Sequence, residues 1–210
     1  MRRFCSLLLI AAAGFAGTVD SIVLPKPNIQ GGKPLMQVLS LRQTTRAFTE
    51  DKLSPQVLSN LLWAAFGINR PDGKRTAPSA MNWQEVRIYV VMPEAAYLYD
   101  AKANRLELVV SGDLRAATGT QDFVGKAPLN LVYVSDGAKT GRASEPDRSL
   151  FAGADVGFIA QNVYLFCASE GLGTVVRGSV KKLELAKALK LGPDQTVVLA
   201  QTVGYPKKAN

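Results

Sequence analysis

The sequence predicts one α/β domain with a short tail, and three observations predict it. The 210 residues are 47% hydrophobic and 20% charged, enough apolar mass for one substantial core and far from the composition of a disordered chain. Stretches of helical period are interleaved with β-branched runs. Leu129 to Ser135 is a near-continuous apolar run, as expected of a central strand covered on both faces. No internal repeat or low-complexity segment interrupts the pattern.

The elements follow in order. Residues 1–16 read as a signal peptide: Arg2 and Arg3 form a basic start, Leu7 to Ala13 an apolar stretch, and Gly14-Phe15-Ala16 a small-x-small cleavage site. The apolar stretch is shorter than the roughly 20 residues that span a bilayer, so an exported product, periplasmic or secreted, is expected with no stable membrane insertion after cleavage. Residues 17–33, with Pro25, Pro27, Gly31 and Gly32, predict an extended arm, and 34–210 one domain. Helices are expected over 34–41 and 55–66. In the second, Ser54 is the N-cap, Pro55 takes the first helical position, and Leu58, Leu61, Leu62, Ala65 and Phe66 make the apolar face.

Gly67 to Met81 is rich in Gly, Pro, Asn and Ser and marks a loop. Val86 to Met92 predicts a strand, residues 97–100 and 106–109 a hairpin, Thr174 to Val176 a strand, and Gln195 to Val203 the last strand. Helical patterns cover 149–170 and about 180–190. Along the longer one, Gly153, Gly157, Ala160 and Tyr164 recur at spacings of three and four. Small side chains there let a second backbone approach closely, either by ordinary packing inside the subunit or across a two-fold interface.

Composition excludes several kinds of chemistry. The chain has no histidine, which removes the usual base of Ser and Cys nucleophiles and the commonest metal ligand, so no metal site is expected. After cleavage only Cys167 remains, so no internal disulfide can form. The formal charge falls from +8 to +6, because Arg2 and Arg3 leave and no acid does. That excess forms no dense basic block and no aromatic-interleaved stripe, so nucleic acid is not an expected partner, and phosphate capture at a few points fits better. If the chain is an enzyme, a cofactor carries the chemistry.

Three segments could hold such a group. In Arg42-Gln43-Thr44-Thr45-Arg46, two guanidiniums four residues apart with a hydroxyl between them can converge on one phosphate; alone, the pattern also suits solvated surface residues. In Thr76-Ala77-Pro78-Ser79-Ala80-Met81-Asn82, a rigid proline turn can present main-chain N–H groups and an amide to a planar heterocycle, or be an ordinary turn. In Glu170-Gly171-Leu172-Gly173-Thr174-Val175-Val176-Arg177-Gly178, Gly171 is a helix C-cap, whereas Gly178 could let backbone touch a ligand face.

Together, in this order and at these separations, the three segments resemble the nitroreductase superfamily from about Leu35 to Pro206. The resemblance is closest to the branch related to the thiazole- and oxazole-forming dehydrogenases, through Leu62 to Asn69 and the Pro78-Ser79-Ala80 turn. It implies an α+β fold, a three-layer α/β/α sandwich with a mixed, mainly antiparallel central sheet, and FMN as cofactor. By resemblance, Arg42, Thr44 and Arg46 bind the FMN phosphate, ribityl chain and pyrimidine edge, with Thr44 in place of the usual Ser. Pro78, Ser79, Ala80 and Asn82 match a loop that reaches the flavin of the other subunit, so a homodimer with FMN sites at its interface is implied. Val176, Arg177 and Gly178 match the segment lying against the isoalloxazine, and Gln121 contacts its polar edge. Several relatives carry Glu at the place of Arg177, and the family's C-terminal phosphate contacts are almost absent here, leaving Lys207 or Lys208 as substitutes.

The implied activity is that of an FMN-dependent oxidoreductase working by ping-pong hydride transfer through flavin N5. No catalytic side chain is required. A small flat oxidised molecule such as a nitroaromatic or quinone is the implied substrate, and NAD(P)H is a candidate electron donor although scarce outside the cytoplasm. Two alternatives stand beside it: a flavin dehydrogenase acting on an azoline-type ring in peptide maturation, and a non-catalytic exported flavin- or anion-binding protein.

Overall fold

Alternation of apolar side chains along the strands decides which helices cover each face of the sheet. The computed structural model describes residues 20–207; the expected signal peptide and Lys208 lie outside them. Among these residues seven strands form one sheet: β1 (Ser21–Val23), β2 (Val86–Val91), β3 (Ala95–Asp100), β4 (Arg105–Ser111), β5 (Leu129–Asp136), β6 (Gly173–Arg177) and β7 (Gln195–Gly204). Their spatial order is β1-β4-β3-β2-β5-β7-β6, and every pairing among the described residues is antiparallel.

Among the described residues four helices complete the layers: α1 (Leu35–Leu41), α2 (Pro55–Phe66), α3 (Glu145–Glu170) and α4 (Lys182–Ala188). Val86, Ile88 and Val90 of β2 and Leu129, Leu131 and Tyr133 of β5 join Leu61 and Leu62 of α2 and Val156, Ile159 and Val163 of α3 in the larger core. The intervening residues Tyr89, Val91, Val132 and Val134 point the other way and meet Leu185 of α4 and Leu189 just past its end. The result is the expected three-layer α/β/α sandwich, with β5 buried along its whole length between the two helix layers.

Local signals explain the helix ends. The Ser54 hydroxyl accepts the Val57 N–H and Pro55 opens α2, as expected. Helix α3 begins at Glu145, before the expected start at 149, because Ser144 caps it by accepting the Asp147 N–H and Glu145 and Asp147 favour the first turn. It ends on Gly171 in the left-handed conformation (φ 73°), whose N–H donates to the Cys167 carbonyl.

Chain from before and after α1 reaches both rims of the sheet. The described part of the arm adds β1 to the outer side of β4 and then crosses α2, where the Asn28 N–H donates to Asn60 Oδ1 at 2.8 Å. At the opposite rim the chain after α1 runs beside β6 and the end of β7: Thr45 N–H donates to the Thr174 carbonyl at 3.0 Å, Thr49 N–H to Tyr205 at 2.9 Å, and Phe48 bridges Pro206.

Candidate functional site

The non-helical stretch after α1 carries Arg42, Thr44 and Arg46. The chain leaves the helix extended at Arg42 (φ −60°, ψ 119°) and is held to β6 by the Thr45 hydrogen bond. Gly173 makes that contact possible, since a Cβ there would lie 2.8 Å from Thr45 Cγ2. Thr44 and Arg46 are exposed and Arg42 is half-buried, and neither guanidinium has a carboxylate partner among the described residues. Two unpaired cations flanking a hydroxyl suit an anion.

One buried side chain joins this stretch to the β6 segment. Tyr164 of α3 lies with its ring 5.3 Å from the Arg42 guanidinium carbon, its hydroxyl 3.2 Å from Thr44 Oγ1, and the same hydroxyl accepts the Val176 N–H at 3.1 Å. The structure therefore brings the first and third predicted segments together. Gly178, just past β6, is exposed, and a Cβ added there would find only Leu199 Cδ2, at 3.8 Å.

Arg177 sits differently from its neighbours. It is 4% exposed, with Nη1 donating to the Thr118 carbonyl at 2.7 Å and Nη2 to Asn130 Oδ1 at 3.1 Å, while Nε is buried without a partner among the described residues. Burial lowers its pKa to about 10, which leaves it charged at neutral pH. Its side chain is thus committed to the interior. Gln121 lies in the loop that joins this segment through Thr120 N–H to the Ser179 carbonyl at 3.1 Å, and its Oε1 is buried without a hydrogen bond among the described residues.

Pro78, Ser79, Ala80 and Asn82 form a second cluster elsewhere on the subunit. Met81, Asn82 and Gln84 all have positive φ (49°, 55° and 48°), a strained course that surrounding contacts must hold. Ser79 Oγ accepts the Gln84 N–H at 2.8 Å and donates to Glu85 Oε2 at 3.1 Å, and Ala80 N–H donates to Asp155 Oδ2 at 2.9 Å. Arg75 Nε donates to Gln84 Oε1 at 2.8 Å, and Lys139 Nζ to the Gln84 carbonyl at 2.9 Å. Glu85 and Asp155 are both buried. Burial, seconded by the Asp155 charge and opposed by the Ser79 hydroxyl, raises Glu85 above its ordinary range.

The two clusters are anchored on one helix but at different levels. Asp155 and Tyr164 are nine residues apart on α3, about 14 Å along the axis at 1.5 Å per residue. Between and beside them the helix turns Gly153, Ala154, Gly157 and Phe158 outward; a Cβ added to Gly153 or Gly157 would meet nothing within 4 Å. Packing inside the subunit thus accounts for Ala160 and Tyr164 but not for these glycines. Tyr164, Glu85 and Asp155 are the site residues that sequence reading missed. The sequence places Tyr164 on a helix face, but not the partners that make its hydroxyl a junction.

The family model described as "Nitroreductase family" matches residues 39–205. A protein of Methanocaldococcus jannaschii designated a nitroreductase is 30% identical over 182 residues, which cover 82% of this chain and 91% of that one. The crystal structure of a protein designated a nitroreductase from Ralstonia eutropha is 42% identical, with TM-score 0.87, over 98% of this chain and 97% of that one. A chain of the E. coli microcin synthetase complex shares the fold at 19% identity, with TM-score 0.70, over 96% of this chain and 85% of its own.

Proposed function

The chain belongs to the nitroreductase family and is an FMN-dependent oxidoreductase, and from that premise we propose that it is exported and acts as a homodimer, holding FMN at two sites between subunits and reducing small flat oxidised molecules such as nitroaromatics and quinones. Within the family, the thiazole- and oxazole-forming branch is favoured only by the sequences Leu62 to Asn69 and Pro78 to Ala80, so nitro and quinone substrates stand first.

The residues present fit FMN. Arg42 and Arg46 offer unpaired charge to a phosphate and Thr44 a hydroxyl beside it. Gln121 Oε1 is a buried acceptor lacking a donor among the described residues, which a polar ring edge with N–H groups would supply. Gly178 gives open main chain where a ring would lie. Lys207 is held by its own N–H on the Ala47 carbonyl, next to Arg46, and is the residue that would add a further cation at the phosphate end.

When bound, FMN supplies the centre that takes hydride from a donor and passes it to an acceptor. The protein positions that centre and tunes its charge; no side chain has to exchange a proton with the substrate. Donor and acceptor using one open ring face in turn gives ping-pong kinetics. NAD(P)H is the candidate donor, and export favours another reductant in the cell.

The dimer reading rests on the resemblance of Pro78, Ser79, Ala80 and Asn82 to a loop that reaches the other subunit's flavin, and on the outward face of α3, where exposed Leu150, Phe151 and Phe158 offer apolar surface for a second copy.

The observation that supports the proposal is the meeting of Arg42, Thr44 and Val176 on Tyr164, which joins the residues proposed to grip the phosphate to the main chain of β6. The test is to purify the protein, titrate it with FMN while following the flavin spectrum, and measure reduction of a nitroaromatic and a quinone with NADPH or dithionite as donor. Stoichiometric FMN, a dimer in solution, and parallel double-reciprocal plots are expected. A protein that binds no FMN after reconstitution sinks the reading.

A further inference from the structure

Tyr164 is buried, yet its hydroxyl serves two segments far apart in sequence. It accepts the Val176 N–H at 3.1 Å and lies 3.2 Å from Thr44 Oγ1. A phenol has one proton to give. Among the described residues the only acceptor in reach of that proton is Thr44 Oγ1, so full satisfaction of a buried phenol requires Tyr164 to donate and Thr44 to accept. If Thr44 donated instead, the Tyr164 proton would be left without a partner in the interior.

That assignment has a consequence for Thr44. With its oxygen accepting from Tyr164, its own proton is free and turned outward, on an exposed side chain between two unpaired guanidiniums. Resting on the FMN reading above, we propose that Tyr164 is a positioning residue for the cofactor phosphate: the chain of donors runs from Val176 N–H to the Tyr164 hydroxyl, to the Thr44 hydroxyl, to a phosphate oxygen. The Tyr164 ring also lies against the Arg42 guanidinium, 5.3 Å from ring centre to its carbon, so the same side chain limits where that cation can swing. The relay fixes a donor for an anion before the anion arrives, and it couples the phosphate end to the main chain of β6 through one hydroxyl.

The test uses the whole protein and two flavins that differ only in the phosphate. Tyr164→Phe removes the hydroxyl and keeps the ring. Its dissociation constant for FMN should rise about five- to tenfold, the scale of one neutral hydrogen bond's loss, while that for riboflavin changes less than about twofold. Thr44→Val, an exposed change that also takes away the acceptor of the Tyr164 proton, should show the same split between the two flavins, and adding Tyr164→Phe to it should cost FMN less than about twofold more. Equal losses for both flavins, additive effects in the double variant, or unchanged FMN binding in Tyr164→Phe overturn the relay. A wild-type protein that binds neither flavin overturns the FMN reading itself, an outcome distinct from these.

Discussion

A Cβ on Gly119 would sit 1.9 Å from Arg177 Nη1, so the course of the Arg177 guanidinium through the interior depends on the absence of a side chain at Gly119. Gly119→Ala should destabilise the protein by about 1–3 kcal/mol through overpacking. Chemical denaturation of this variant checks it, and in an Arg177→Met background the added penalty should shrink, because the obstructed group is gone. An equal penalty in both backgrounds would locate the conflict elsewhere.

Arg42→Ala should weaken FMN retention by about 1.5–3 kcal/mol, the scale of a hydrogen bond to a charged group. The cation has no carboxylate partner to release among the described residues, so little of the loss should appear in stability. Titration by flavin absorbance, paired with a thermal melt, separates the two effects. Retention equal to wild type would remove Arg42 from the site.

Glu85 gives a pH dependence of defined sign. Its pKa in the fold is raised above the unfolded value of about 4.5, first by burial and then by the Asp155 charge. The native state therefore holds this proton more tightly than the unfolded chain does. The stabilisation is complete below about pH 4.5 and is lost as pH climbs through the folded value. Glu85→Gln copies the uncharged form and keeps an acceptor for the Ser79 hydroxyl. It should melt at a higher temperature than wild type near neutral pH, with the gap closing toward pH 4.5. A gap that widens on acidification would reverse the assignment.

Phe158→Asp should leave the subunit fold intact, since the side chain is 49% exposed. If the outward face of α3 meets a second copy, the charge should raise the dimer dissociation constant by at least tenfold and lower FMN affinity with it. Sedimentation velocity reads the first effect and flavin titration the second. A variant that stays dimeric at wild-type concentrations argues for a different interface.

Much of the fold was legible because period and punctuation coincide. Helix α2 is found at Pro55–Phe66, its expected limits, since cap, proline and apolar face all agree there. The start of α3 was missed although its signal was present: Ser144 followed by Glu145, Pro146 and Asp147 is a cap and first turn. Strand β1 gave no such sign, as three residues within a proline-rich arm carry too little pattern and its pairing with β4 is a tertiary fact. The site divides in the same way. Arg42, Thr44 and Gly178 could be named from residue type and spacing. That Arg177 turns inward to Thr118 and Asn130, or that Glu85 meets Asp155 beneath the proline turn, depends on contacts between distant elements that spacing does not encode.

The stretch that bears Arg42 to Arg46 also shields the open rim of β6 through Thr45 and Thr174. Grip and guard are one piece of chain, so loosening the first exposes a row of hungry amides to any passing strand. Preparations stripped of their flavin should be those that clump on standing, and replenishing the cofactor during purification should keep them clear.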